Sequence, residues 1–287
     1  MTSFSRPRAA LGLALLLSVT AAAATEPKAV PTRVSTASTG VSLLGEPLAM
    51  PGLDRTRQVR LYLPPDYASS GKRYPVLYMH DGQNLFDAAT SYAGEWNVDE
   101  TLDALAKEGK LELIVVGIDN GQEKRMTELN AWHNERFGPA PEGREYTDFI
   151  VEVVKPLIDR NYRTLPGRAH TAIMGSSMGG LASHYAIAQY PQVFSKAGVF
   201  SPAYWTAALS FDWVASRPVP KDARLFLLMG EKEGGSMVPD VERMAGVVRG
   251  SGHPDSNMVL KIVPGAEHNE GFWSSQFREA VLWMFAP

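Results

Sequence analysis

The sequence predicts an α/β fold, a mostly parallel central sheet with helices on both faces. Three observations carry this. After residue 75, short apolar runs alternate with stretches of helical period. The runs are continuously apolar, as strands buried on both faces are. One of them, Ala172-Ile173-Met174, passes through Gly175-Ser176-Ser177-Met178-Gly179 straight into a helical stretch from Gly180 to Ala188. That is the strand, tight turn and helix in which G-x-S-x-G lifts a serine hydroxyl clear of the backbone.

The chain has 287 residues, 45% of them apolar, enough for one full core. A net charge of -3 without blocks of like charge gives no sign of a nucleic-acid partner. The lack of cysteine excludes disulfides, thiolate metal sites and a cysteine nucleophile. Residues 1–24 read as a secretory signal peptide. Arg6 and Arg8 precede an apolar run, Ala9 to Val19, that is too short for a stable membrane anchor, and Ala22-Ala23-Ala24 offers a cleavage site before Thr25. The expected location is periplasmic or extracellular. Residues 25–40 read as a flexible leader and 41–287 as a single domain. Oligomeric state is not legible.

In order along the chain, Val41 to Met50 carries a weak strand signal, interrupted by Gly45 and Pro47. Arg57 to Leu63 alternates polar and apolar residues, a half-buried strand suited to an antiparallel entry into the sheet. Pro75 to His80 is a buried strand running into Asp81-Gly82-Gln83-Asn84. Trp96 to Lys107 has helical period, and Leu113 to Ile118 is the next strand. Asp119 to Arg144 is a long polar stretch of the kind that builds a site or lid. Glu145 to Asn161 reads as an amphipathic helix despite Pro156. Beyond the serine turn come strands at Val193 to Phe200, Arg224 to Met229 and Met258 to Val263, with helices at Val238 to Val248 and Phe272 to Phe285.

A serine needs a base, and the base an orienting acid. In a parallel sheet the loops at the carboxyl ends of strands share one edge. His268 follows the last strand at that edge, after Ser177 in the chain. The acid belongs after Met229, where Glu233 has the longer reach, with Glu231 and then Asp240 as reserves. Two backbone donors are expected to face the developing oxyanion: the amide of Met178 and, past the turn at Gly82, that of Gln83. Trp96, Tyr204 and Trp205 are candidate pocket aromatics. Arg125, Glu128 and His133 could meet a polar substrate. Asp81, Asn84 and Asp87 lack a full set of ligands at calcium-loop spacing, so no metal is assigned, and no cofactor is called for.

Several stretches together resemble the Putative esterase family of the α/β-hydrolase fold, which includes feruloyl, acetyl xylan and siderophore esterases and S-formylglutathione hydrolase. They are Tyr78 to Asp87, Gly94-Glu95-Trp96, Val116 to Gly121, Gly175 to Gly180, Phe200 to Trp205 and Gly230 to Gly234. The resemblance implies Ser177 as nucleophile, His268 as base, Glu233 as acid and oxyanion amides at Met178 and Gln83. The expected activity is that of a secreted serine carboxylesterase; the resemblance does not fix the substrate, which stays open among acylated carbohydrates, feruloyl esters, siderophore esters and small acyl esters. An acyltransferase using the same site, and a non-catalytic binding module on the same fold, are the alternatives.

Overall fold

The computed structural model describes residues 33–136 and 140–286, together with the first two. The expected signal peptide and its cleavage site lie outside the described residues. Residues 33–287 form one compact unit.

The elements follow in chain order. Strands β1 (Val41–Leu43), β2 (Leu48–Met50), β3 (Arg55–Arg57), β4 (Val59–Tyr62) and β5 (Val76–His80) lead to helix α1 (Val98–Lys107). Strand β6 (Ile114–Ile118) precedes α2 (Arg125–Glu128), α3 (Gly143–Asp148) and α4 (Lys155–Asn161). Then come β7 (Thr171–Ser176), α5 (Met178–Gln189), β8 (Lys196–Phe200), α6 (Ser210–Ser216), β9 (Arg224–Gly230), α7 (Met237–Gly250), β10 (Met258–Val263) and α8 (Glu270–Met284).

Eight strands form one sheet in the order β1-β4-β6-β5-β7-β8-β9-β10. From β6 through β10 every pairing is parallel, while β1 with β4 and β4 with β6 are antiparallel. The entry is therefore antiparallel and the body parallel, as the two strand patterns predict. The interrupted Val41 to Met50 signal resolves into two strands. Gly45, at φ +52°, turns the chain out of the main sheet, and β2 pairs with β3 as a separate ribbon.

Continuous apolar runs are needed because both faces are covered. Val76 and Tyr78 join one core with residues of α5 and α7, while Leu77 and Met79 join the other with α1 and α8. The same alternation recurs in β9, where Leu225 and Leu227 face one core and Phe226 and Leu228 the other. Helix α5 is buried on all sides from Met178 to Ala188, so it sits deep, behind the site. The expected helix at Glu145 to Asn161 is present, but Phe149–Val154 between α3 and α4 is wound as a π-helix, just upstream of Pro156. Pro156 lies in the first turn of α4, where its missing N–H costs least.

The described part of the leader is hydrogen-bonded to the domain. Thr36 N and Ser35 Oγ donate to the Asp87 carboxylate, and Arg33 donates to Ser91 O at 2.8 Å. Ser38 N donates to Asp99 Oδ2 at 2.7 Å. A composition of Thr, Ser and Ala carries no apolar signal for this strap; its hold is polar.

Candidate active site

Ser177 is the junction between β7 and α5, at φ 58° and ψ −119°. This is a strained conformation for a residue with a Cβ. Its backbone is held on both sides: Ser177 N donates to Phe200 O at 2.9 Å, and its carbonyl accepts from Leu181 N and Ala203 N, both at 3.1 Å. The turn is tight because its neighbours lack side chains. A Cβ on Gly175 would lie 2.9 Å from the Gly179 carbonyl carbon, and one on Gly180 would lie 2.5 Å from Phe200 O.

His268 Nδ1 lies 2.7 Å from Glu233 Oε2. The Glu233 side chain is wholly buried, whereas that of His268 is 36% exposed. Glu233 Oε1 accepts from Gly230 N at 2.7 Å and from Ser201 Oγ at 2.5 Å. Ser201 Oγ is in turn fixed by Trp273 Nε1 at 2.8 Å, and the Trp273 ring stands edge-on to the His268 ring at 4.9 Å. The reserves do other work. Glu231 Oε2 accepts from Gly265 N, tying the loop after β9 to the loop after β10, and Asp240 accepts from Ser236 Oγ on α7.

Met178 N opens α5, and Gln83 lies in the short turn Gly82–Asn84 after β5. Amides at helix starts have no intrahelical acceptor. The two turns abut: a Cβ on Gly179 would lie 3.0 Å from His80 Cβ and 3.3 Å from Asp81 Oδ2. Gln83 Oε1 accepts from Asn120 N, which locks that turn to the loop after β6.

A cavity of about 640 Å³ opens over Ser177 and His268, with Trp96 and Trp273 among its walls and Asp81, Asn120, Arg125 and Glu270 among its polar groups. This is the size of a small-molecule site. Trp96 is buried, stacked on Phe200 and packed against Trp273. Tyr204 and Trp205 depart from expectation. Tyr204 is fully buried in the core with its hydroxyl 2.6 Å from His184 Nδ1, and Trp205 is 46% exposed and outside this cavity. The short helical turn at Tyr204–Thr206 points successive side chains in different directions, so position after β8 alone does not aim them at the site.

The loop after β6 contributes Arg125 to the cavity, but Glu128 turns inward to pair with Arg55 and Arg57, and His133 is exposed. Asp87 serves the strap, and Asn84 Oδ1 accepts from Tyr92 N, so these residues do not converge with Asp81. Asp81 instead receives Arg125 in a fork, Nε to Oδ1 at 2.6 Å and Nη2 to Oδ2 at 2.8 Å, with Asn120 Nδ2 at 2.7 Å. Sequence reasoning missed this triangle, because its members lie on different loops with no local pattern.

Burial alone would push the Asp81 carboxyl up, but the Arg125 guanidinium outweighs it and holds it below the usual carboxylate range. Burial holds the Glu270 carboxyl above its usual range, with the Asp81 charge adding. Burial lowers His80 to about 4, so it is neutral at pH 7, its Nδ1 2.8 Å from the Tyr146 hydroxyl.

These shifts carry a pH-dependent expectation. A depressed carboxyl stabilises the fold above its unfolded pKa, and the contribution is lost as pH falls through the folded value. Arg125→Met strands a buried carboxylate and should cost about 3 kcal/mol at pH 7. The deficit shrinks at about pH 4.5, because the unpaired Asp81 then takes a proton. Urea unfolding at both pH values checks this; an equal deficit at both contradicts it.

A mostly parallel sheet with a serine elbow, an acid and a histidine on its carboxyl-end loops defines an α/β-hydrolase. The chain belongs to the Putative esterase family, whose model matches residues 51–284, and is an ester-hydrolysing enzyme. It is 28% identical to the uncharacterized protein YbbA of Bacillus subtilis over 242 residues, 80% of this chain and 92% of that protein. Among solved structures it resembles the BES protein from Bacillus cereus, with a TM-score of 0.68, 16% identity, and 88% and 97% of the two chains covered. It also resembles an enterochelin esterase from Shigella flexneri, with a TM-score of 0.67 and 18% identity, 88% of this chain covering 59% of that one. Among the described residues, no helix is long and apolar enough to cross a membrane.

Proposed function

We propose that this chain is a serine carboxylesterase in which Ser177 is the nucleophile, His268 the base and Glu233 the acid. The observation that carries the reading is the pairing of His268 Nδ1 with a wholly buried carboxylate, at the cavity that Ser177 lines. With Nδ1–H donating to Glu233, Nε2 is left to accept the serine proton. Ser177 Oγ attacks the ester carbonyl, and the oxyanion is met by the amides of Met178 and Gln83. His268 then passes the proton to the leaving alcohol, and water, activated by the same imidazole, releases the acid from the acyl-enzyme.

The cavity's indole walls suit a ring, and its rim of carboxylates, amide and guanidinium suits hydroxyl groups. We therefore take the substrate as an ester of a hydroxylated aromatic acid, such as a feruloyl or catecholate siderophore ester, ahead of a simple acylated carbohydrate. A fluorophosphonate probe should label Ser177, and methyl ferulate or a trilactone siderophore should be turned over faster than acetylated xylan. Absence of label on folded protein removes the mechanism; preference for acetylated xylan removes the substrate class. The signal peptide read at residues 1–24 favours export, and the mature chain is expected to begin at Thr25 by N-terminal sequencing.

A further inference from the structure

The first turn of α1 carries Asp99 and Glu100, and Glu95 lies just before it. One carboxylate oxygen from each falls within 4.8 Å of the others. Acidic residues at a helix start are ordinary, since the helix dipole favours them. This group is set apart by its buried, unpaired oxygens. Asp99 is fully buried; its Oδ2 accepts from Ser38 N, while its Oδ1 has no hydrogen-bond partner among the described residues. Glu95 is half-buried: Oε2 accepts from Thr36 Oγ1 at 2.8 Å, and the Oε1 atom is buried with no hydrogen-bond partner among the described residues. The hydroxyl of Ser38, on the residue already bonded to Asp99, is a third buried oxygen in the same condition. The charges that act most on Glu95 are those of Asp99 and Asp87, and on Glu100 those of Asp99 and Glu95.

Unpaired buried carboxylate oxygens are costly, and crowding like charges adds to the cost. A cation removes both terms at once. The donors are all oxygen, three carboxylates and a hydroxyl, which selects a hard cation over zinc or copper. The oxygens are close enough together to share one ion, and calcium tolerates the irregular geometry that magnesium does not.

We propose that Glu95, Asp99 and Glu100, with the Ser38 hydroxyl, bind a divalent cation of the calcium type that clamps the strap at residues 33–38 to the start of α1. Glu95 immediately precedes Trp96, one of the residues that line the substrate cavity.

The test uses the full chain stripped with a chelator. Calcium chloride, followed by calorimetry at about pH 7.5, should titrate a single site and raise the melting temperature, and magnesium should need at least about tenfold higher concentration. Glu100→Gln should weaken calcium binding about tenfold or more, and Asp99→Asn should abolish it, with both variants melting cooperatively in chelator. The proposal is overturned if the wild type shows neither heat nor a melting shift with calcium. It is equally overturned if Glu100→Gln, an exposed position safe for folding, binds calcium as the wild type does. None of these measurements depends on ester turnover.

Discussion

Replacing Ser177 by alanine should lower kcat for a p-nitrophenyl ester by roughly a millionfold, the loss seen when a triad serine is removed. The fold should be untouched, because the bonds that anchor this residue run through its backbone, to Phe200 O and from Leu181 N and Ala203 N. Ser177→Gly makes a companion measurement. At φ 58° the serine is strained, and glycine relieves that, so the variant should be equally inactive yet more stable by about 1 kcal/mol. Turnover in the alanine variant within tenfold of wild type would identify another nucleophile.

Glu233→Gln should cost about four orders of magnitude in kcat with little change in KM, and the reason is one of tautomers. Glu233 Oε1 takes two donors, Gly230 N and Ser201 Oγ. The glutamine oxygen must therefore stay on that side, and its amide N–H₂ is turned toward His268 Nδ1. Nδ1 can then only accept, the proton moves to Nε2, and the nitrogen that should receive the serine proton is already occupied. Part of the activity should return at higher pH as a less efficient route takes over. A variant retaining more than about a tenth of wild-type kcat would show that Glu233 does not orient the base.

The parallel body of the sheet was legible because a strand covered on both faces is apolar along its interior, and β5 through β9 are, with polar residues such as His80, Lys196 and Arg224 confined to their ends. That Ser177, His268 and Glu233 share one rim was legible because each follows a strand at its carboxyl end. What could not be read is direction. Tyr204 and Trp205 are adjacent and chemically alike, yet one fills the core and the other meets solvent, a difference set by a turn with no signature of its own. Nor could the fork from Arg125 to Asp81 be read, since it closes across 44 residues by charge and shape rather than by period. The strap at residues 33–38 looked loose because its partners, Asp87 and Asp99, lie far along the chain.

The sheet order has a consequence for how the enzyme wears out. Ser177 stands at the end of a strand in the interior of the sheet, but His268 hangs from β10, which has a single neighbour and is only partly buried. An outermost strand is the cheapest to detach. Bridges such as Glu231 to Gly265 and Lys232 N to Ala266 O stitch that margin down. When they give way on warming, His268 leaves the cavity while the rest of the sheet still stands. Heat inactivation would then run ahead of melting, and the lifetime of the catalyst would be that of its outermost seam.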